Sequence, residues 1–147
     1  MHMHHPTALP CASTTLRKAS RAVSRIYDAA LAPAGMTVAQ LSILRAIQRA
    51  EHQPLSRLAE SMVMDRTSLY RALTPMIRSG WMMVEDAPKG RAKLVSLTRK
   101  GHDLTDAAGA NWDAAQIRFV EAFGVERWET LHTAIADLAA VGVQLAN

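Results

Sequence analysis

The sequence is poor in the residues that staple, anchor or span. A single cysteine, Cys11, in 147 residues excludes an internal disulfide framework and any multi-cysteine metal cluster, and that usage fits a reducing compartment. No apolar run approaches the roughly 18 residues of a membrane span. The opening Met1-His2-Met3-His4-His5-Pro6 lacks the apolar core of a secretory signal. The expectation is a soluble, cytoplasmic chain with no membrane partner. Gly and Pro are few, 7 and 6, and fall between periodic segments, so elements can be delimited by period and punctuation. The length suits about one domain, large enough to bury a core unaided.

Signatures of catalysis are missing as well. There is no glycine-rich phosphate loop, no nucleophile elbow and no carboxylate pair at a telling spacing. Three of the six histidines lie in the first five residues, and His52, His102 and His132 have no partner at metal-ligand spacing. No enzyme activity, no cofactor and no metal site are expected, although catalytic residues need converge only in space.

What is present is asymmetric charge. Residues 1–100 hold 15 Lys and Arg against 6 Asp and Glu, whereas residues 101–147 hold 2 against 7. A basic body followed by an acidic last third suggests that the first part meets a polyanion; the alternative is an ordinary solvated surface.

Residues 1–9 are expected to be disordered. From Cys11 to Ala32, Leu16, Ala19, Val23, Ile26, Tyr27, Ala30 and Leu31 recur at helical spacing, and Pro33-Ala34-Gly35 ends the pattern. Thr37-Val38-Ala39-Gln40 has capping-box form and opens a helix with Leu41, Leu44 and Ile47 inward. Glu51 to Pro54 reads as a loop. A short amphipathic piece, Leu55 to Met62, turns its Leu58, Ala59 and Met62 to one side. Asp65 is a good N-cap for a helix burying Leu69, Leu73, Met76 and Ile77, with Gly80 as its left-handed stop. Trp81–Glu85 and Ala92–Leu97 read as strands around a Pro- and Gly-containing tip. Thr98 starts a long helix carrying Leu104, Ala108, Trp112, Ala115, Phe119 and Phe123. After Gly124 a last helix places Trp128, Leu131, Ile135, Leu138, Gly142 and Leu145 on a coiled-coil-like seam.

This order predicts a mainly α fold with a small β-hairpin wing: a winged helix-turn-helix over 36–97, flanked by a helical dimerisation region from 10–35 and 98–147. Opposite the buried side of the helix after Asp65 lie Thr67, Tyr70, Arg71, Thr74 and Arg78, with Arg66 and Ser68 in its first turn. Arg can pair bidentately with guanine, and Ser and Thr can reach bases or phosphates. Lys89, Arg91 and Lys93 sit at or beside the hairpin tip, suited to a minor groove or to phosphates. A solvated helix face and a loop made soluble by its cations are the competing readings.

Leu58-Ala59-Glu60, Asp65-Arg66-Thr67-Ser68-Leu69-Tyr70-Arg71-Ala72-Leu73, Ile77-Arg78-Ser79-Gly80-Trp81, and Arg91 ahead of Leu97-Thr98-Arg99-Lys100-Gly101 together resemble the MarR family of bacterial transcription regulators. The resemblance implies a homodimer with interlocked first and last helices, a recognition helix over Asp65 to Ser79, a wing over Trp81 to Leu97, and a double-stranded DNA operator, usually repressed and released by a ligand or oxidant. Two positions depart from the pattern. Lys89 stands where many members carry an Asp that orients the wing Arg, leaving Arg91 to Glu85, Asp86 or nothing, and Pro75 is expected to kink the recognition helix.

By that resemblance Tyr27, Met36 and Trp112 fall near a helix junction that takes effectors, with Arg17 or Arg21 as the cation for a small aromatic or apolar acid; plain core packing is the competing role. Arg17, Arg21 and Arg25 form a one-sign stripe on the first helix. Cys11 is the candidate redox residue, if Arg17 and Lys18 stabilise its thiolate. A winged-helix protein-interaction module without an operator is the reading from another functional class.

Overall fold

The computed structural model describes residues 6–147. Of the nine residues expected to be disordered, the first five lie outside the described residues, and Pro6–Ala8 form a 3-10 turn. Helix α1 (Ala12–Leu31) begins after Cys11 and runs into a second 3-10 turn, Ala32–Ala34, with Pro33 at its start. Gly35 then adopts φ 73°, a left-handed conformation that a side chain would resist, and the chain reverses into helix α2 (Val38–Ala50). The capping box forms as expected: Gln40 N–H donates to Thr37 Oγ1 at 3.2 Å, and Thr37 N–H donates to Gln40 Oε1 at 3.0 Å. Asp28 of α1 accepts from Val38 N–H at 2.7 Å, so α1 also helps cap α2.

Strand β1 (Gln53–Pro54) and helix α3 (Leu55–Ser61) follow, then α4 (Arg66–Arg78), strands β2 (Met82–Asp86) and β3 (Lys93–Leu97), α5 (Arg99–Phe123) and α6 (Val125–Ala146). The sheet order is β1-β3-β2, all antiparallel. Strand β1 corrects the loop expected at Glu51 to Pro54. Two residues are too few to show alternation, and Pro54 is tolerated because β1 is an edge that needs no donor there. Gln53 is buried there and donates to the Ala46 carbonyl at 3.2 Å. The wing strands start one residue later than expected, leaving Trp81 and Ala92 outside them.

The core joins α2, α3 and α4 to the inner face of the wing and to the ends of α1 and α5 that meet them. Leu31, Leu44, Leu58, Leu73, Met76, Val95 and Ala108 are fully buried there. Ile77 was expected inward but is 38% exposed; its neighbour Met76 takes the inner position. Helix α4 runs through Pro75 without ending. The ring cannot supply the N–H that Arg71 C=O would accept, and Pro75 itself lies on the exposed side of the helix.

The wing root is locked to α5 by close backbone packing. Thr98 caps α5 by accepting from Gly101 N–H at 3.1 Å and donates to the Gly80 carbonyl at 2.5 Å, while Thr98 N–H donates to Trp81 O at 3.1 Å. Gly101 presses on this junction, and a Cβ there would lie 1.9 Å from Trp81 O.

Two apolar faces remain uncovered. In α1 only Tyr27 and Leu31 are buried; Leu16, Val23, Ile26 and Ala30 are half-buried and Ala19 is exposed. Helix α6 has no buried residue at all, with Leu131, Leu138 and Leu145 at 39%, 43% and 80% exposure. Its attachment is the corner where Phe119 stacks on Phe123 and meets Trp128 edge-on, each at 6.0 Å between ring centroids. Among the described residues no single helix is long and apolar enough to cross a membrane.

Candidate nucleic-acid interface

Helices α3 and α4 are joined by a tight turn in which Val63 takes φ 52° with its side chain 68% exposed. A β-branched residue is strained there. Asp65 then caps α4 twice, accepting from Ser68 N–H and from the Ser68 hydroxyl, both at 2.8 Å. The Ser68 amide, foremost, and its hydroxyl hold the Asp65 carboxyl below the usual carboxylate range. With Leu69, Leu73 and Met76 inward, α4 leaves Arg66, Thr67, Ser68, Tyr70, Arg71, Thr74 and Arg78 exposed. Two of these side chains are partly spent: the Ser68 hydroxyl donates to Asp65, and Thr74 donates to the Tyr70 carbonyl at 2.8 Å. Both oxygens can still accept.

The wing brings two of its three cations, Arg91 and Lys93, beside the start of α4. Register pairs Met82 with Leu97, Val84 with Val95 and Asp86 with Lys93, and a strand alternates faces. These six side chains therefore share the face whose inner end is buried at Met82 and Val95. At its outer end Lys93 forms an ion pair with Asp86, and the Asp86 carboxylate raises the Lys93 pKa above the usual lysine value. Asp86 is thereby committed to Lys93 and not to Arg91, and among the described residues no carboxylate pairs with Arg91. Lys89 and Arg91 flank Gly90, which turns the tip at φ 82°, and both are exposed.

Between α4 and the wing lies a cleft of about 230 Å³. Ser56, Arg66, Tyr70, Arg91 and Lys93 line it, over a floor that includes Leu69 and Pro54. Ser56 was not foreseen, because only the pairing of β1 with β3, Pro54 opposite Leu94, carries the start of α3 to the wing. The Asp86–Lys93 pair was legible in principle, as opposite charges at equal distance from the hairpin tip.

The expected effector residues meet in part. The Tyr27 and Trp112 rings lie 6.2 Å apart, Met36 is buried in the adjoining core, and Tyr27 donates to Gln116 Oε1. Burial raises the Tyr27 pKa. Arg17 and Arg21 do not join them: both are exposed, roughly two to three turns along α1 from Tyr27. The cation at this junction is Arg45 of α2, 4.4 Å from the centre of the Trp112 ring. Neither Arg45 nor Gln116 was foreseen, since each approaches from another helix. Further ties between helices are Asn111 to the Ala30 carbonyl at 2.9 Å and Gln48 to Asp106 at 3.0 Å.

Cys11 is exposed just before α1. Its pKa is lowered by the Thr14 backbone amide first, with the Thr14 side chain adding to it; Arg17 and Lys18, expected to stabilise the thiolate, are not the cause. Among the described residues no group of three His, Cys, Asp or Glu side chains is placed to hold a metal ion.

No curated protein sequence matches the chain significantly. The profile of the MarR family matches residues 36–91, from the start of the α2 region to the wing tip. Three solved structures align with most of the chain. A transcriptional repressor, CouR, bound to a 23-mer DNA duplex has a TM-score of 0.79 at 20% identity, over 95% of this chain and 98% of that one. A mutant MarR from E. coli, complexed with operator DNA, has a TM-score of 0.77 at 19% identity, over 86% and 91%; both show the fold. The M. tuberculosis transcriptional regulator MOSR, in complex with DNA, is 32% identical with a TM-score of 0.84, over 92% of this chain and 98% of that one. With that relative aligned almost end to end and the family profile lying on its helix-turn-helix and wing, this chain belongs to the MarR family of transcriptional regulators.

Proposed function

We propose that the chain acts as a homodimeric, sequence-specific DNA-binding repressor. The observation that carries this reading is one shared cleft: Arg66 and Tyr70 from the polar, cationic face of α4 and Arg91 and Lys93 from the wing line it together, while the apolar sides of both elements are spent on the core. Helix α4 has the width to enter a major groove and the wing to reach the adjacent minor groove. Arg71, near the middle of the exposed face, is the candidate base reader. Arg91, which pairs with no carboxylate among the described residues, suits the negative potential of a narrow minor groove. The relative MOSR, crystallised with DNA, supports the same partner for this chain.

Dimerisation is supported by the uncovered sides of α1 and α6 and by an apolar gap of about 1100 Å³ between the end of α6 and the α3–α4 turn. Leu138 and Val143 face Val63 and Met64 across it. A second copy contributing the same helices would cover these surfaces in the isologous manner of a twofold dimer, making 10–35 and 98–147 the dimerisation region and 36–97 the DNA-binding one. Steric occupation of an operator would then repress transcription.

Release by a small aromatic acid is the regulatory part of the reading. Tyr27, Trp112 and Arg45 bring α1, α5 and α2 to one point, and a carboxylate that draws Arg45 off Trp112 would loosen the DNA-binding half from the dimer stem. Oxidation at Cys11 is the alternative trigger, favoured by its exposure and lowered pKa. Duplex binding measured against salt tests the DNA reading: it expects a linear fall of log affinity with log salt. Absence of duplex binding at low salt would remove the reading and leave a protein-interaction module.

A further inference from the structure

The cleft between α4 and the wing poses an electrostatic problem that the base-reading role of α4 does not address. Arg66, Arg91 and Lys93 converge on one concave site whose floor includes the buried Leu69. A cleft lined by charges of one sign concentrates the field they project. Only Lys93 has an acidic partner, Asp86; among the described residues Arg66 and Arg91 pair with no carboxylate. Geometry says which anion belongs there. If α4 occupies a major groove and the wing the neighbouring minor groove, the structure that runs between them is one sugar–phosphate strand.

We propose that this cleft seats a single backbone phosphate of the DNA, gripped by Arg66 and Lys93 with the Tyr70 hydroxyl as a further donor, and that Asp86 competes with that phosphate for Lys93. The inference rests on the DNA-binding reading above and adds a division of labour to it. Arg66 and Tyr70 fix register on the backbone, leaving Arg71 to the bases. Asp86 is the Cα partner of Lys93 across the hairpin, so its carboxylate holds the ammonium until a phosphate in the right place takes it over. Tyr70 and Lys93 line the same cleft, so the phenol and the ammonium face one anion. A phosphate passing at random must displace a carboxylate that is already bonded. Asp86 therefore lowers the affinity of every duplex that draws on Lys93, making it an affinity-setting residue that touches no base.

Duplexes carrying one uncharged methylphosphonate at a time, in an operator obtained by selection from random DNA, test the seat. For the wild-type chain one position per half-site is expected to lose about ten-fold in affinity, and Arg66→Gln or Lys93→Gln, themselves weaker on unmodified DNA, should lose little more at that position. Losses that multiply at every position would overturn the seat. Asp86→Asn is expected to raise affinity for random-sequence duplex about three- to ten-fold, and to steepen the salt slope by about one unit by releasing Lys93 to a phosphate. An unchanged slope and affinity would overturn the competition. Inorganic phosphate followed by NMR separates the two sources of the anion: millimolar binding lost in Lys93→Gln, with no coupling to any DNA position, would make this a free-phosphate site and refute the backbone assignment. A wild-type chain that binds no duplex fails the DNA reading itself, whereas one that binds duplex without coupling fails only this inference.

Discussion

Replacing Gly101 with Ala tests the junction that fixes the wing relative to the long helix α5. The added Cβ would lie 1.9 Å from Trp81 O, 2.9 Å from Trp81 C and 3.4 Å from Leu97 Cβ. The obstacle is backbone and cannot swing aside: Trp81 O also accepts from Thr98 N–H at 3.1 Å, and Trp81 N–H donates to Met76 O at 3.0 Å. Restoring an ordinary contact needs a separation of about 1 Å or more, enough to strain those bonds and lift the wing root from Met82, which is buried beside it. Overpacking of this kind costs about 1 to 3 kcal/mol. The usual helix gain of Ala over Gly, about 1 kcal/mol in a helix interior, is small here because Gly101 lies in the first turn. At about 2 to 4 °C per kcal/mol for a chain of this size, the melting temperature should fall by roughly 2 to 12 °C at fixed protein concentration. Gly109 is the matched control: it lies within α5, and nothing stands within 4 Å of a Cβ built on it, so Gly109→Ala should raise the melting temperature. If both variants melt with the wild type, or Gly101→Ala melts higher, the wing root is not packed as described.

Four further outcomes are expected. Arg71→Ala should lose about five- to hundred-fold on the selected operator and relax preference at one base pair per half-site, whereas Arg91→Ala should relax an A·T preference where the wing meets the minor groove, or weaken all sequences and flatten the salt slope if Arg91 mainly touches phosphate; equal, small losses for both would remove these roles. The folded-state pKa of Asp65 lies below its unfolded value, so its cap contributes in full above the ordinary carboxylate range and is lost as pH falls through the lowered value. Asp65→Asn should keep a cap but flatten that acid limb in thermal melts, and an unaltered limb would contradict the assignment. Sedimentation at micromolar concentration should give two chains per particle, with Leu138→Glu shifting it toward one; a monomeric wild type would remove the interlocked-helix arrangement. An aromatic acid that releases DNA should bind more weakly, by about 1 to 3 kcal/mol, when operator is saturating, and Arg45→Ala should abolish its effect. If Cys11→Ser instead abolishes release by hydrogen peroxide and no acid binds, the trigger is oxidative.

How far the sequence could be read depended on how local the cause was. Thr37, Asp65 and Thr98 are caps whose partners lie three residues away, so the starts of α2, α4 and α5 were legible from spacing. Leu41, Leu44, Leu58, Leu69 and Leu73 followed from period and are all buried. Long-range features were not legible. Strand β1 exists because β3 offers it an edge, Arg45 reaches Trp112 from a different helix, and Gly101 is required by a carbonyl twenty residues earlier in the chain. Ile77 had the right residue type for the core, but Met76 beside it holds the buried position. The exposed face of α4 was read residue by residue, whereas the cleft it shares with the wing depends on a hairpin register that composition does not encode. The seam of α6 had the period of a buried face, and in the single chain it is bare, which is the strongest reason to expect a second copy.

Selection of binding sites from random DNA by the purified full chain tests the central claim most directly. A twofold protein presenting two copies of α4 to one side of a duplex should enrich a pseudo-palindrome whose half-site centres lie about one helical turn, roughly 34 Å, apart. Changing the spacing by half a turn should abolish tight binding while leaving salt-dependent background intact. Enrichment of a single asymmetric half-site, or of no sequence at all, would contradict the assignment of this chain as a dimeric operator-binding regulator.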